Sequence, residues 1–240
     1  RGGIAADGKT GDGCGLLMQK PDGFLRQVAA EAGLPELSPN YGVGSIMLSR
    51  DPIQASESKT AFDKAITDEG LVVAGWREVP TNKSCLGPIA LETLPSFYQV
   101  FVNAECTLPA LNARLYMARR HAEKALASDS DFYVASLSSS VLSYKGLMMP
   151  VDIPAFYPDL ADPRLETAIC VFHQRFSTNT MPRWNLAQPF RMLAHNGEIN
   201  TITGNRNWSV ARTPKFQSEL LPNLKQVTPL VNREGSDSSS

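Results

Sequence analysis

The sequence has no long apolar run. Its most hydrophobic stretches, residues 71–76 and 168–172, fall far short of the roughly 20 residues that cross a bilayer, so no membrane-spanning helix is expected. Blocks of like charge are missing as well. None is longer than the pair Arg119 and Arg120, and 23 Lys and Arg against 24 Asp and Glu leave a net charge of −1. That balance provides no electrostatic footprint for nucleic acid or acidic lipid. Cysteine is sparse: Cys14, Cys85, Cys106 and Cys170 are scattered, without a C-x-x-C pair. Neither a zinc knuckle nor a disulfide framework is indicated, and a reducing, cytoplasmic compartment fits that usage. Internal repeats, low-complexity segments and a Gly-x-Ser-x-Gly elbow are also lacking. The chain opens on Arg1 with neither an initiator Met nor a signal segment, and it closes on the serine-rich stretch 236–240. A segment removed upstream and a motif cut at the end are therefore expected.

What is present suits a globular domain. With 240 residues, 42% of them hydrophobic, the chain can bury a full core, and residues 1–240 are read as one domain or most of one. Asp22 is positioned to cap a helix with an apolar face of Phe24, Leu25, Val28, Ala29 and Ala32, closed by Gly33. Asp51 and Pro52 open a second, with Ala61, Phe62, Ala65 and Ile66 on one side and Gly70 at its end. A third begins near Pro109 and spaces Leu111, Leu115, Ala118, Ala122, Ala125 and Leu126 along one stripe. Short β-rich runs at 41–48, 71–76, 97–102, 132–137 and 167–172 lie between the helices, with another at 16–19. Strands in groups, with helices between the groups, point to a layered α+β fold.

Several motifs invite chemistry and lack the context for it. Residues 3–10, GIAADGKT, match the phosphate-binding pattern G-x-x-x-x-G-K-[ST]. The pattern works when a helix begins at the Lys and Thr, whereas here three glycines follow within five residues. A glycine-rich turn feeding a strand is the better account. His173, His195 and Glu198 are metal-ligand types without a compact ligand spacing, and His121 falls on a charged helix. Ser177, His195 and Asp237 form a triad only on paper.

The informative segment runs from 173 to 238. It contains His173-Gln174-Arg175-Phe176-Ser177-Thr178, then His195-Asn196-Gly197-Glu198, then Gly235-Ser236-Asp237-Ser238. Each island has an ordinary explanation: a surface ion pair, a type I′ turn, a helix cap. Together they supply a guanidinium for a carboxylate, a carboxylate for an ammonium, and an Asn side chain with a glycine N–H for an oxyanion. That set suits an α-amino acid with a side-chain amide, which is glutamine.

These islands, with Arg1-Gly2, residues 10–15 (TGDGCG), 75–82 (GWREVPTN) and 198–204, resemble the class II glutamine amidotransferase domain of glutamate synthase large subunits over essentially the whole chain. The resemblance implies an N-terminal-nucleophile (Ntn) hydrolase fold, a four-layer αββα sandwich of two antiparallel sheets, here incomplete at both ends. Residue by residue, it assigns Arg175 to the substrate α-carboxylate and Asp237 to the α-ammonium. Asn196 and the Gly197 N–H become the oxyanion hole. His173, Ser177 and Thr178 shape the pocket, and Arg1 and Gly2 lie near the nucleophile.

One departure stands out, because the family's nucleophile is an N-terminal Cys and residue 1 here is Arg. The resemblance implies a glutaminase that yields glutamate and ammonia for transfer to 2-oxoglutarate, and a 240-residue chain that is inactive by itself. A non-catalytic glutamine or glutamate sensor is the alternative. No cofactor is expected on this chain. FMN, an iron–sulfur cluster and NADPH are implied elsewhere in the parent, since the local wording looks closest to bacterial NADPH-type chains. The implied partners are L-glutamine, the remaining synthase domains of the large subunit and a small electron-supplying subunit.

Overall fold

The computed structural model describes residues 3–174, 182–191, 193, 199, 201–232 and 237–239, residue 237 by its backbone alone. In chain order its main elements are β1 (Cys14–Gln19), α1 (Asp22–Glu31), β2 (Asn40–Leu48), α2 (Pro52–Asp68), β3 (Val72–Glu78), α3 (Pro88–Glu92), β4 (Ser96–Ala104), α4 (Leu108–Ala125), β5 (Tyr133–Ser138), β6 (Val141–Gly146), α5 (Ile153–Phe156), β7 (Cys170–His173) and α6 (Thr203–Arg212). The strands form two antiparallel sheets, a three-stranded one in the order β6-β1-β7 and a four-stranded one in the order β3-β4-β2-β5. The fold is α+β, and two antiparallel sheets with helices fit the expected Ntn-hydrolase sandwich.

Alternation along the strands explains the layering, because successive side chains leave opposite faces of a sheet. On β2, Tyr41, Val43 and Met47 enter one core cluster with Phe97 and Phe101 of β4 and with Cys14, Met18, Leu142 and Tyr144 of the other sheet. The intervening Ile46 and Leu48, with Val100 and Val102 of β4, pack against Phe62 and Ile66 of α2 and Leu111, Leu115 and Ala118 of α4. One core therefore lies between the sheets, and a second lies between the four-stranded sheet and its helical layer. Among the described residues no helix is long and apolar enough to cross a membrane.

The helix caps agree with the sequence at α2 and differ at α1. Asp51 accepts hydrogen bonds from the Ile53 and Gln54 N–H groups, the usual N-cap arrangement. At α1 the capping position is Pro21, which has no side-chain acceptor. Asp22 is instead inside the helix and pairs with Arg26 at 2.9 Å and Lys20 at 3.4 Å. Its carboxylate is taken by these neighbours rather than by the helix end.

Residues 3–10 enter a strand, not a helix: Ile4 bridges to Gly11, and β1 starts at Cys14. The side chains that would serve a phosphate are otherwise employed. Asp7 accepts the Thr10 hydroxyl and the Ile89 N–H, Thr10 Oγ1 accepts the Ala90 N–H, and Lys9 Nζ donates to the Ser84 carbonyl at 2.8 Å. Ile89 and Ala90 are in the first turn of α3, whose N–H groups lack helical partners. The loop is an external cap for that helix.

A buried ion pair ties the layers together. Arg77 on β3 meets Asp159 through two parallel bonds of 2.8 and 2.7 Å, with the carboxylate 4% exposed. Tyr144 on β6, in the other sheet, donates its hydroxyl to the same carboxylate at 2.9 Å.

Candidate active site

Gly15 is the centre of the three-stranded sheet, and its register places Lys145 of β6 on one side and His173 of β7 on the other. Directly opposed residues of antiparallel strands project from the same face, so these two side chains flank the gap left by the missing Cβ. That gap is filled by backbone: a Cβ on Gly15 would stand 2.5 Å from the Gln188 carbonyl oxygen. The same glycine run serves two other needs. Gly13 has φ +123°, which suits glycine alone, and a Cβ on Gly11 would meet the Met148 carbonyl oxygen at 2.2 Å.

The stretch 185–191 thus lies over this face. Lys145 Nζ donates to the Asn185 carbonyl at 3.3 Å and sits 4.2 Å from the centre of the Phe190 ring, and Phe190 bridges to Leu193. A third stretch joins through Gln188, whose side-chain amide donates to Ser238 Oγ at 3.5 Å, within the short helical turn Asp237–Ser239. Strand β7 ending in His173, the segment 185–191 and the turn at 237–239 therefore meet over Gly15. These are the described residues that flank the three polar islands of the sequence.

Of the residues expected in the site, His173 ends β7 opposite Gly15. Asp237 opens the short turn. Arg1, Gly2, Arg175, Ser177, Thr178, Asn196 and Gly197 lie outside the described residues, as do His195, Glu198 and the side chain of Asp237. Cys14, between Gly13 and Gly15, is the first residue of β1 and 1% exposed. The φ of Gly13 ends the turn one residue earlier. Burial pushes the Cys14 thiol up to about 12, and burial also raises Cys85 and Cys170. Low thiolate content makes these three poor nucleophiles.

Lys145, Gln188 and the role of Gly15 carry no signal in the sequence. Lys145 is 1% exposed, and it donates to the Tyr133 hydroxyl and to the Asn185 carbonyl, both at 3.3 Å. Burial, and then the neighbouring Arg191, hold its pKa well below the usual lysine range. A depressed folded-state pKa means that stability is lost as pH falls through that value and regained as pH rises towards the unfolded value near 10.4. Lys145→Met is therefore expected to raise the urea midpoint at pH 7, with a gain that shrinks towards pH 10. Equal midpoint shifts at both pH values would contradict this account.

A family model described as Glutamine amidotransferases class-II matches residues 1–240. The chain belongs to this family. Relatives of the amidotransferase include the NADPH-type glutamate synthase large chain of Bacillus subtilis (strain 168), 43% identical over 244 residues, which cover 100% of this chain and 16% of the relative. The NADPH-type large chain of Azospirillum brasilense is 38% identical over 246 residues, with the same two coverages. The ferredoxin-dependent chloroplastic enzyme of Oryza sativa subsp. japonica is 40% identical over 247 residues, covering 100% of this chain and 15% of the relative. The amidotransferase thus spans only 15–16% of the length of these relatives, and relatives with both kinds of electron donor match it.

Proposed function

We propose that this chain provides the glutamine-binding pocket and oxyanion hole of a glutamate synthase, in which glutamine is hydrolysed to glutamate and ammonia. The observation that carries this reading is the match of the class II amidotransferase family over the whole chain. The meeting of β7, segment 185–191 and turn 237–239 over Gly15 supports it.

In this mechanism Arg175 grips the α-carboxylate of glutamine bidentately and Asp237 its α-ammonium, which aims the side-chain amide at the nucleophile. His173, Ser177 and Thr178 shape the pocket, and Arg1 and Gly2 lie beside the nucleophile. A cysteine thiolate attacks the amide carbon, and the resulting oxyanion is held by the Asn196 amide and the Gly197 N–H. The cysteine's α-amine, which took the thiol proton, returns it to the amide nitrogen, ammonia leaves as the carbonyl re-forms, and the resulting thioester is hydrolysed by water to glutamate and free thiol. The family's nucleophile carries its own α-amine, which none of Cys14, Cys85, Cys106 and Cys170 does, so residues 1–240 by themselves are expected not to turn glutamine over.

The ammonia passes to a synthase site in the rest of the large subunit, where 2-oxoglutarate is aminated and reduced, with a small subunit supplying electrons. FMN and the iron–sulfur cluster belong to that half. The four cysteines of this chain do not fit such a cluster: Cys14 is buried on β1, Cys170 is exposed on β7, and Cys85 and Cys106 are on two other segments. Calorimetric titration tests the pocket directly. Arg175→Ala is expected to weaken glutamine binding at least tenfold, about the value of one charge-assisted bond pair, while glutamine binding unchanged by the substitution would refute the assignment.

A further inference from the structure

The described residues enclose a cavity of about 680 Å³ between α4, the start of β5 and the stretch 227–232. Its wall is unusually cationic. Arg119, Arg120 and Lys124 of α4 and Arg191 from the segment above Gly15 line it, against the carboxylates of Glu123 and Asp129. Asp129 is committed to structure, accepting from Gln54 Nε2, Ser58 Oγ and the Asp131 and Phe132 N–H groups.

Glu123 therefore serves three guanidiniums at once. Arg119 reaches it at 3.0 Å, Arg120 at 2.7 Å and Arg191 at 3.3 Å. Among the described residues that carboxylate is shared by three arginines, with Lys124 adjacent. The Nε groups of Arg120 and Arg191 are buried without a hydrogen-bond acceptor among the described residues. Burial, reinforced by Arg191, depresses the Arg119 guanidinium to about 10. Arg120 also donates to the Val227 and Pro229 carbonyls and Arg191 to the Val134 carbonyl, and with side chains 13–29% exposed the three guanidiniums stay open to a counter-charge.

We propose that this cavity, which shares Asn185, Leu186, Arg191 and Ser239 with the segments that cover the candidate active site, is a binding site for a small multivalent anion bearing carboxylate or phosphate groups. Guanidiniums arranged as planar forks favour such oxyanions over chloride. The site stands on α4, β5 and segment 185–191, and it does not depend on the glutamine assignment.

Thermal unfolding of the full chain, titrated with malonate or inorganic phosphate against sodium chloride of equal ionic strength, tests the proposal. The expected result is a saturable rise in unfolding temperature with either oxyanion that chloride does not reproduce. Lys124 is exposed at the rim and, among the described residues, donates to the Gln226 carbonyl at 3.4 Å, so Lys124→Gln is expected to preserve the fold and to weaken the oxyanion roughly threefold. Glu123→Gln removes the internal competitor and is expected to tighten it by about tenfold, a gain that damage to the fold does not produce. An effect equal to that of chloride, or an oxyanion affinity that neither substitution changes, would overturn the proposal.

Discussion

In the amidotransferase supplied with its N-terminal cysteine, Asn196→Ala is expected to lower kcat for glutamine hydrolysis by roughly 10²–10³ with little change in KM, the usual effect of losing one oxyanion donor. This follows from where charge develops. The amide oxygen of bound glutamine is neutral and becomes an anion only after the thiolate adds, so a donor aimed at that anion stabilises the transition state more than the ground state. On the proposed assignment Arg175 and Asp237 grip charges that glutamine carries throughout, so their loss is expected to fall mainly on KM. The split between kcat and KM is what distinguishes an oxyanion donor from a residue that merely shapes the pocket. Steady-state kinetics of Asn196→Ala beside Arg175→Ala read it directly; a rise in KM for Asn196→Ala with kcat unchanged would remove it from the oxyanion hole.

The largest effect on stability is expected from Asp159→Ala. Arg77 and Asp159 are 12% and 4% exposed at the side chain. Removing the carboxylate strands a guanidinium at the junction of two sheets and deprives the Tyr144 hydroxyl of its acceptor. Breaking a buried pair in this way costs about 3–5 kcal/mol, enough to lower the unfolding temperature of a domain this size by about 10 °C. Replacing both partners with apolar side chains of similar volume is expected to cost much less, because no charge is then left buried. Thermal unfolding of Asp159→Ala beside Arg77→Met/Asp159→Leu makes the comparison. Equal losses in the two variants would show that packing, not the stranded charge, sets the cost.

The fold is most legible in the sequence where one face of an element is apolar. The α4 stripe of Leu111, Leu115, Ala118 and Ala122 is fully buried, while its expected end is not, Ala125 being exposed and Leu126 only half-buried; the cap at Asp51 and the stop at Gly70, with φ +70°, stand where the sequence places them. Strand β6 escapes a reading of the sequence because Ser143 and Lys145 are buried beside Leu142 and Tyr144, and burial of a lysine on a strand leaves no hydropathic trace. Its two-residue spacing from β5 also imitates a hairpin, whereas β5 pairs with β2 and β6 with β1. The sequence motif around Arg77 is visible, but its ion-pair partner lies 82 residues away, beyond any local pattern. In the site, the residue types of the polar islands suggest glutamine, and apart from His173 and the backbone of Asp237 the residues assigned to it lie outside the described ones. Lys145, Gly15 and Gln188 emerge only from strand register and close backbone contact, which spacing along the chain does not encode.

Residues 1–240 are proposed to form the substrate half of a glutaminase whose nucleophile comes from elsewhere in the parent protein. Ammonia release from glutamine measures this most directly, comparing the 240-residue chain with the same chain extended upstream to a processed N-terminal cysteine. No turnover is expected from the former and turnover from the latter, abolished by Cys→Ala at the new terminus. Turnover by the 240-residue chain that survives substitution of Cys14, Cys85, Cys106 and Cys170, or an inactive but folded extended chain, would contradict it.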